Sequence, residues 1–519
     1  MNTILILLLI ALTFILRVSP SFMRKDVYLI DHFFHLLYAR KIRRNKFRYP
    51  KYFENFIIKK DPLAYPFLFH YFLALFPVTW RENASYYLSG LIDSIQVLLL
   101  GLFMFYFLPS INIELPAYVI YLACLTFATY PILMRVGDER NAAASARPLG
   151  ELFFLFSILS TSLYLLHSSF IFFILAILFG SFVLLTSKFG AQAFYFVFFI
   201  CSLFFLDLVF ILITASSFLL AVVISYGGYL RVFRGHIAHS FMHNKIGFFK
   251  GRKKTGILEL LNLFIKRPGE AVEAVYKLPG VSIFIFSPFL ILIIYFYLHD
   301  FSIIQANLFL KFYFSWTIAT VILVFFTSFG KARCFGEAER YADYSVFAIS
   351  LIVPLFIYLY HNEIHMWIIF IVILLCHLIL YGIYLYVWLK VFPSGAYNSQ
   401  VCKKLNEFAP TNVACIPVNM SYELAYKTQH KLLWDPPGFS QNVKNFKKDI
   451  DRFNKLYSNY PLLNKDLSLL IEEYNIEIIV MKKLYGFRSI MNKLDIINFY
   501  DTSKFTQIYE NAEYIIYRA

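Results

Sequence analysis

Asp31 and His35 stand four positions apart in the stretch Asp31-His32-Phe33-Phe34-His35-Leu36-Leu37-Tyr38-Ala39-Arg40-Lys41-Ile42. In a helix that spacing puts both side chains on one face, one turn apart. A carboxylate so placed can accept the proton of an attacking hydroxyl, the work of a general base. The bland alternative is an ion pair, because residues 17–62 carry 12 Lys and Arg against 4 Asp and Glu. Asp26, in the same loop, is a rival base without the histidine spacing. A second candidate is Arg340, in Glu337-Ala338-Glu339-Arg340-Tyr341 just before an apolar run. There a guanidinium reaches the headgroup layer and offers two parallel hydrogen bonds to phosphate oxygens. Its bland alternative is a surface pair with Glu337 or Glu339, worth about 0–1 kcal/mol. His236, His239 and His243 share a helical face, but nothing acidic lies close to them, so a metal site is disfavoured. The sequence requires no cofactor, and a divalent metal has no support in it.

The elements that must hold these groups are membrane helices. Of 519 residues 59% are hydrophobic and 15% charged, against about 45–50% and about 25% in soluble domains. Apolar runs recur near 1–16, 85–108, 114–134, 148–167, 169–186, 191–206, 208–228, 281–298, 303–328, 344–361 and 366–390. Each is long enough to span a hydrocarbon core of about 30 Å as a helix, which gives a mainly α bundle of about 11 spans. The first run has no basic residue before it and no small-residue cleavage site after it, and is expected to remain as an anchor. Leu63–Trp80 is apolar but carries two prolines and a histidine, and is expected to lie along the interface. Asp207 reads as the turn between two helices.

Beyond Val391 no such run appears. The expected division is a transmembrane domain over 1–392 and a small extramembrane α/β domain over 393–519. Asn412–Val418, Ile476–Met481, Phe505–Tyr509 and Tyr514–Tyr517 read as strands, the last two as a hairpin, and Asp466–Tyr474 as an amphipathic helix. This domain has no Gly-rich phosphate loop, no Cys/His metal spacing and no nucleophile elbow. Cys402 and Cys415 permit one disulfide, and none is implied.

The loops sort by charge. One set holds 17–62, 135–147, 229–280 (10 basic against 3 acidic) and 329–343. The other consists of short links such as Leu166-His167-Ser168, His299-Asp300 and His361-Asn362-Glu363, without Lys or Arg. A face built to hold an anionic ligand at the membrane surface explains that segregation.

These features in order resemble the GT-C membrane glycosyltransferases. They are a first span, a loop with Asp31-x-x-x-His35 and Ala39-Arg40-Lys41-Ile42, the segment Tyr65-Pro66-Phe67-Leu68-Phe69-His70-Tyr71, and then three further motifs. Asp138 and Arg147-Pro148-Leu149-Gly150-Glu151 match a second active-face loop. Thr186-Ser187-Lys188-Phe189-Gly190 resembles a diverged Thr-Lys-Gly turn, and Phe335-Gly336-Glu337-Ala338-Glu339-Arg340-Tyr341 resembles a late Arg-Tyr motif. The resemblance covers about 390 residues and implies transfer of a sugar from a polyprenyl- or dolichyl-phosphate-linked donor to a glycan, lipid or protein acceptor, with no nucleic acid involved. It implies Asp31, with His35 and Asp138, on the catalytic side. It also implies phosphate binding by Arg340 and Tyr341 with Arg147, Lys331, Arg333 or the cluster Lys250, Arg252, Lys253 and Lys254. The alternative for that cluster is contact with membrane lipid headgroups alone.

Sidedness is in conflict. The positive-inside rule puts the basic face in the cytoplasm, whereas the resemblance puts the active face and the C-terminal domain outside it; we follow the resemblance, with an inverted transferase using cytoplasmic donors as runner-up. An anionic-lipid transporter or flippase is the alternative of another class, but little ionisable chemistry is expected within the spans and no paired halves are seen. A polysaccharide polymerase or ligase would lack the Asp31 loop.

Overall fold

The structure, a computed structural model, describes residues 3–24, 30–50, 52–59, 63–134, 140–141, 143–245, 262, 265–266, 279–335, 338–390, 395–435, 446–457, 460–485 and 494–519. It forms two compact units: Met1–Lys25 with Glu82–Tyr229 and Lys254–Val391, and Asp26–Arg81 with Leu230–Lys253 and Phe392–Ala519.

The first unit is the helical bundle. Every one of the eleven apolar runs is helical. Among the described residues eight helices are long and apolar enough to cross a membrane, or nine if Val209–Ile224 and Gly228–Ser240, bent by 120°, form one span. Phe170–Thr186 and Phe289–His299 are shorter apolar helices. The second span starts earlier than its apolar run, at Val78. Helix starts follow local chemistry: the Ser187 hydroxyl accepts from the Gly190 amide at 3.2 Å, and the Asn307 side chain accepts from Leu310 at 3.1 Å. Between Phe205 and Val209 the chain turns at Leu206 in the left-handed region, and the Asp207 carboxylate accepts from the Val209 amide at 2.9 Å, as expected of a turn.

Inside this unit lies a set of buried charges. Asp93, fully buried in the helix Val78–Leu102, accepts from Arg17 Nε at 2.6 Å and from both terminal nitrogens of Arg140 at 2.9 and 2.8 Å. Arg17 also donates to the carbonyls of Ala128 and Phe127 at the end of the helix Ala117–Ala128. Arg140 further pairs with Glu151, and Asp343 lies 3.9 Å from Arg140 and 3.7 Å from Arg147. Three guanidinium groups thus face three carboxylates, all buried.

The second unit is built on a five-stranded sheet of order β2-β1-β3-β7-β6. Its strands are β1 (Asn412–Ile416), β2 (Lys431–Leu432), β3 (Ile478–Lys482), β6 (Thr506–Glu510) and β7 (Tyr514–Arg518); β4 (Leu484–Tyr485) and β5 (Leu494–Asp495) form a separate pair. The β1–β2 and β1–β3 ladders are parallel and the β6–β7 hairpin is antiparallel, with Val413 opposite Ile478 and Val480 opposite Ile516 fixing the register. The helix Leu467–Tyr474 is capped by Asp466. All six cysteines are free, Cys402 and Cys415 among them.

The first loop belongs to this same unit. The helix Ile30–Arg44 packs on the helix Ser421–Lys427, and Arg40 there donates to the carbonyls of Ala425 and Tyr426 while stacking on the Tyr426 ring at 4.7 Å. Leu432 and Asn55–Ile57 exchange backbone hydrogen bonds of 2.8 and 3.0 Å, so the loop extends the sheet beyond β2. Leu68–Leu75 is a helix of 8 residues, about 12 Å long and too short to cross.

Two outcomes follow. Replacing Asp93 by Ala leaves Arg17 and Arg140 buried without their central carboxylate, which costs about 3–5 kcal/mol. Breaking the exposed Lys404–Glu407 pair with Glu407→Ala costs at most about 1 kcal/mol. Thermal unfolding of the purified variants in detergent checks the contrast, and equal melting of the two would contradict it. The second concerns His32, which burial, then the charges of His35 and Lys427, hold down at about 3. The unfolded chain takes up this proton first, so stability is full above the ordinary histidine value of about 6.5 and is lost as pH falls towards 3. At pH 5 the loss from this one group is about 2 kcal/mol. Melting of the full-length protein between pH 7.5 and 5 should therefore fall, and His32→Phe should flatten the slope.

Candidate functional site

Three of the stretches singled out above meet within the bundle. The helix Arg147–His167 approaches the turn before Lys188 so closely that a Cβ on Gly150 would lie 2.6 Å from the Ser187 Cβ; only glycine allows this contact. The turn at Ser187 starts the helix Lys188–Phe205 and presents Phe189. The Arg340 guanidinium stacks on the Phe189 ring at 4.8 Å, and the Tyr341 ring meets Phe189 edge-on at 6.0 Å.

Arg340 and Tyr341 stand on the 3-10 helix Ala338–Ser345, which runs directly into the helix Val346–Leu359. Tyr341 is fully buried, and its hydroxyl lies within hydrogen-bond distance of Gln192 Oε1 at 2.9 Å and the Phe335 carbonyl at 2.7 Å. Asp343, two residues further on, faces Arg147. The Trp316 indole donates to the Tyr344 carbonyl at 2.8 Å and fixes the far end of the turn. Tyr341 is thereby a positioning group, and Arg340 beside it is half-buried against Phe189.

Lys188 was quoted above as part of a motif without a role. It lies within electrostatic range of Arg340 and Cys334, is half-buried, and has no ion pair or hydrogen bond among the described residues. The two cations thus lie close enough to repel one another, with Lys188 at the start of its helix. Asp93 and Asp343 are further charges that sequence reasoning passed over, and Glu151 entered it only as part of a motif. A lone Asp inside an apolar run was the available signal for Asp93.

In the second unit Asp31 is exposed on the first turn of the helix Ile30–Arg44, while His35, one turn on, is buried. His35 Nδ1 lies 2.7 Å from Nε2 of His70, with the two rings stacked at 5.0 Å. Burial, then the nearness of His35, hold His70 well below the ordinary histidine range. His70 is therefore the neutral member of the imidazole pair, which packs between Phe34, Tyr38 and Phe69. Asp26, Asp138, Lys250, Arg252, Lys253 and Lys254 lie outside the described residues, as do the side chains of Lys331 and Arg333 and that of His243. Among the described residues no group of three His, Cys, Asp or Glu is placed to hold a metal ion.

No protein-family model matches the chain, and no curated protein sequence matches it. Solved structures do. The Archaeoglobus fulgidus oligosaccharyltransferase in complex with zinc and sulfate superposes with a TM-score of 0.54 at 12% identity, over 92% of this chain and 68% of that one. The same organism's oligosaccharyltransferase AglB, in complex with an inhibitory peptide and a dolichol-phosphate, gives 0.52 at 10% identity, over 92% and 69%. ArnT from Cupriavidus metallidurans bound to undecaprenyl phosphate gives 0.54 at 11% identity, over 100% of this chain and 98% of that one. Full-length coverage of this kind, on a bundle of apolar helices followed by a small sheet, shows that the chain has the GT-C membrane fold.

Proposed function

We propose that this protein is an integral membrane glycosyltransferase that moves a sugar from a polyprenyl-phosphate-type lipid donor to an acceptor hydroxyl on the non-cytoplasmic side. The observation that carries this reading is the pairing of Lys188 with Arg340 at the head of two spans, one cation without a partner among the described residues and the other stacked on Phe189. A phosphate beside them relieves the repulsion between the cations. It also gains charge-assisted hydrogen bonds in a partly dry site. Lipid phosphates bound to AglB and ArnT, proteins of the same fold, support a ligand of that class.

The reaction is a displacement at the anomeric carbon. The acceptor oxygen forms its bond to that carbon as the bond to the phosphate oxygen breaks, and the electron pair leaves with the phosphate. Arg340 and Lys188, with Arg147 and the basic loop residues Arg333, Lys250, Arg252, Lys253 and Lys254 as further candidates, stabilise the charge that accumulates there. Asp31 takes the acceptor proton, with Asp26 or Asp138 as the replacement should it prove dispensable. A carboxylate buried within a span would also suit a transporter, but both oxygens of Asp93 are engaged by arginines, which is what a structural ion asks for.

Asp31→Asn should insert and fold normally while losing about 10²–10⁴-fold in transfer from polyprenyl-phosphate-linked sugars. Near-normal turnover would remove Asp31 as the base. Arg340→Lys keeps the charge and loses the two-pronged contact, so transfer should drop about 10-fold with little change in melting. If Arg340→Lys and Arg340→Ala both turn over like the parent protein, the phosphate role is wrong and the search moves to the basic stretch from Arg231 to Lys254.

A further inference from the structure

Within the second unit four arginines gather around the end of the helix Leu68–Leu75. Arg43 donates to the carbonyls of Ala74 and Phe76 at 3.2 and 2.7 Å, and Arg81 to those of Leu73 and Phe76 at 3.2 and 3.1 Å. These are the carbonyls that a helix leaves unsatisfied at its C-terminus, so they draw cations. Arg44 and Arg40 complete the group: Arg40 lies within electrostatic range of Arg44 and Arg81, and Arg81 within range of Arg43. Among the described residues no carboxylate pairs with any of the four, and one terminal nitrogen of the buried Arg81 has no hydrogen-bond partner. Backbone carbonyls carry only partial charge, so the cluster keeps most of its positive charge.

The same segment presents apolar side chains outward. Leu75 is 66% exposed, Val78 55% and Trp80 69%, while Arg43 and Arg44 are exposed beside them. Val78 is also where the span Val78–Ser110 begins. A tryptophan and aliphatic side chains next to arginines, at the head of a membrane-spanning helix, lie at the depth where acyl chains meet headgroups.

We propose that this surface holds an anionic phospholipid of the surrounding bilayer, its phosphodiester on the exposed Arg43 and Arg44, with the charge of the buried Arg81 close by, and its acyl chains against Leu75, Val78 and Trp80. A soluble anion would gain nothing from the apolar border. The site is separate in residues from Lys188 and Arg340, and it anchors the short helix Leu68–Leu75 to the membrane surface.

The test uses the full-length protein in neutral detergent, titrated with phosphatidylglycerol or phosphatidylcholine and read by native mass spectrometry, with thermal unfolding recorded in parallel. Phosphatidylglycerol should be retained preferentially. Arg44→Gln, which touches no helix carbonyl, should weaken its binding about fivefold, and Arg43→Gln with Arg44→Gln about 25-fold. Arg340→Gln should leave it unchanged. Equal retention of the two lipids, or retention of phosphatidylglycerol unaltered in Arg44→Gln and in the double variant, would overturn the assignment. So would loss in Arg340→Gln with retention in Arg44→Gln, because the headgroup would then sit on the Lys188–Arg340 pair.

Discussion

A carboxylate taken from water into the apolar interior of a helical bundle meets a penalty of several kcal/mol even after the surroundings relax, and only close, fully hydrogen-bonded partners offset it. Asp93 is that carboxylate here, with no exposed surface. Its demand for partners sets the position of Arg17 within the first helix and holds Arg140 inside the bundle. Arg140, once inside, requires more than half of Asp93, and Glu151 supplies the rest from the helix Arg147–His167. The relative depth of three helices is therefore tied to one ion.

The consequence reaches the candidate phosphate site in two steps. Asp343 closes the charge balance against Arg140 and Arg147, and it stands on the same 3-10 turn as Arg340 and Tyr341. A 3-10 turn puts residues three apart on one edge, so holding Asp343 inward holds Arg340 on the same edge. Tyr341, bonded to Gln192, fixes the rotation of that turn relative to the helix Lys188–Phe205, which also carries Phe189. The guanidinium–ring contact of Arg340 is in this sense an outcome of burial chemistry some residues away. Gly150 serves the same end by letting Ser187 approach.

What the sequence made legible follows from which features are periodic. Eleven apolar runs became helices because span length and hydropathy are local properties. The strands around Ala414, Val480 and Ile516 and the helix that follows Asp466 were likewise readable from alternation and apolar spacing. Lys188 and Arg340 come together only through the tertiary packing of two helices, and the motif order flagged them without their contact. The docking of Asn55–Ile57 beside β2 rests on two backbone hydrogen bonds between segments more than 370 residues apart, which leave no pattern in either. His35 was expected to serve Asp31 because the spacing allowed it. Its contact with the buried His70 comes from tertiary packing that the spacing alone does not reveal.

The number of crossings is constrained by the two ends of the bundle. Tyr381 bonds to Ser19 and donates to the Leu16 carbonyl, Trp388 donates to the Pro20 carbonyl at 2.7 Å, and Arg24 donates to the carbonyls of Trp388 and Leu389 at 3.0 and 3.2 Å. Contacts that advance along both segments in the same order mean that the helices Thr3–Met23 and Ile364–Lys390 run parallel. Parallel first and last helices require an odd number of crossings. Eight, the count of helices that qualify by length and hydropathy alone, is then too few or too many by one. Nine or eleven satisfies the clasp, and eleven also gives the shorter helices Phe170–Thr186 and Phe289–His299 a crossing role. On either count the chain leaves its first span on the side where it leaves its last, and the helix bearing Asp31 belongs to the same unit as the C-terminal sheet. That relation holds whichever compartment this side faces, so it constrains the topology independently of the basic loops, whose charge an anionic ligand and the positive-inside rule explain equally well.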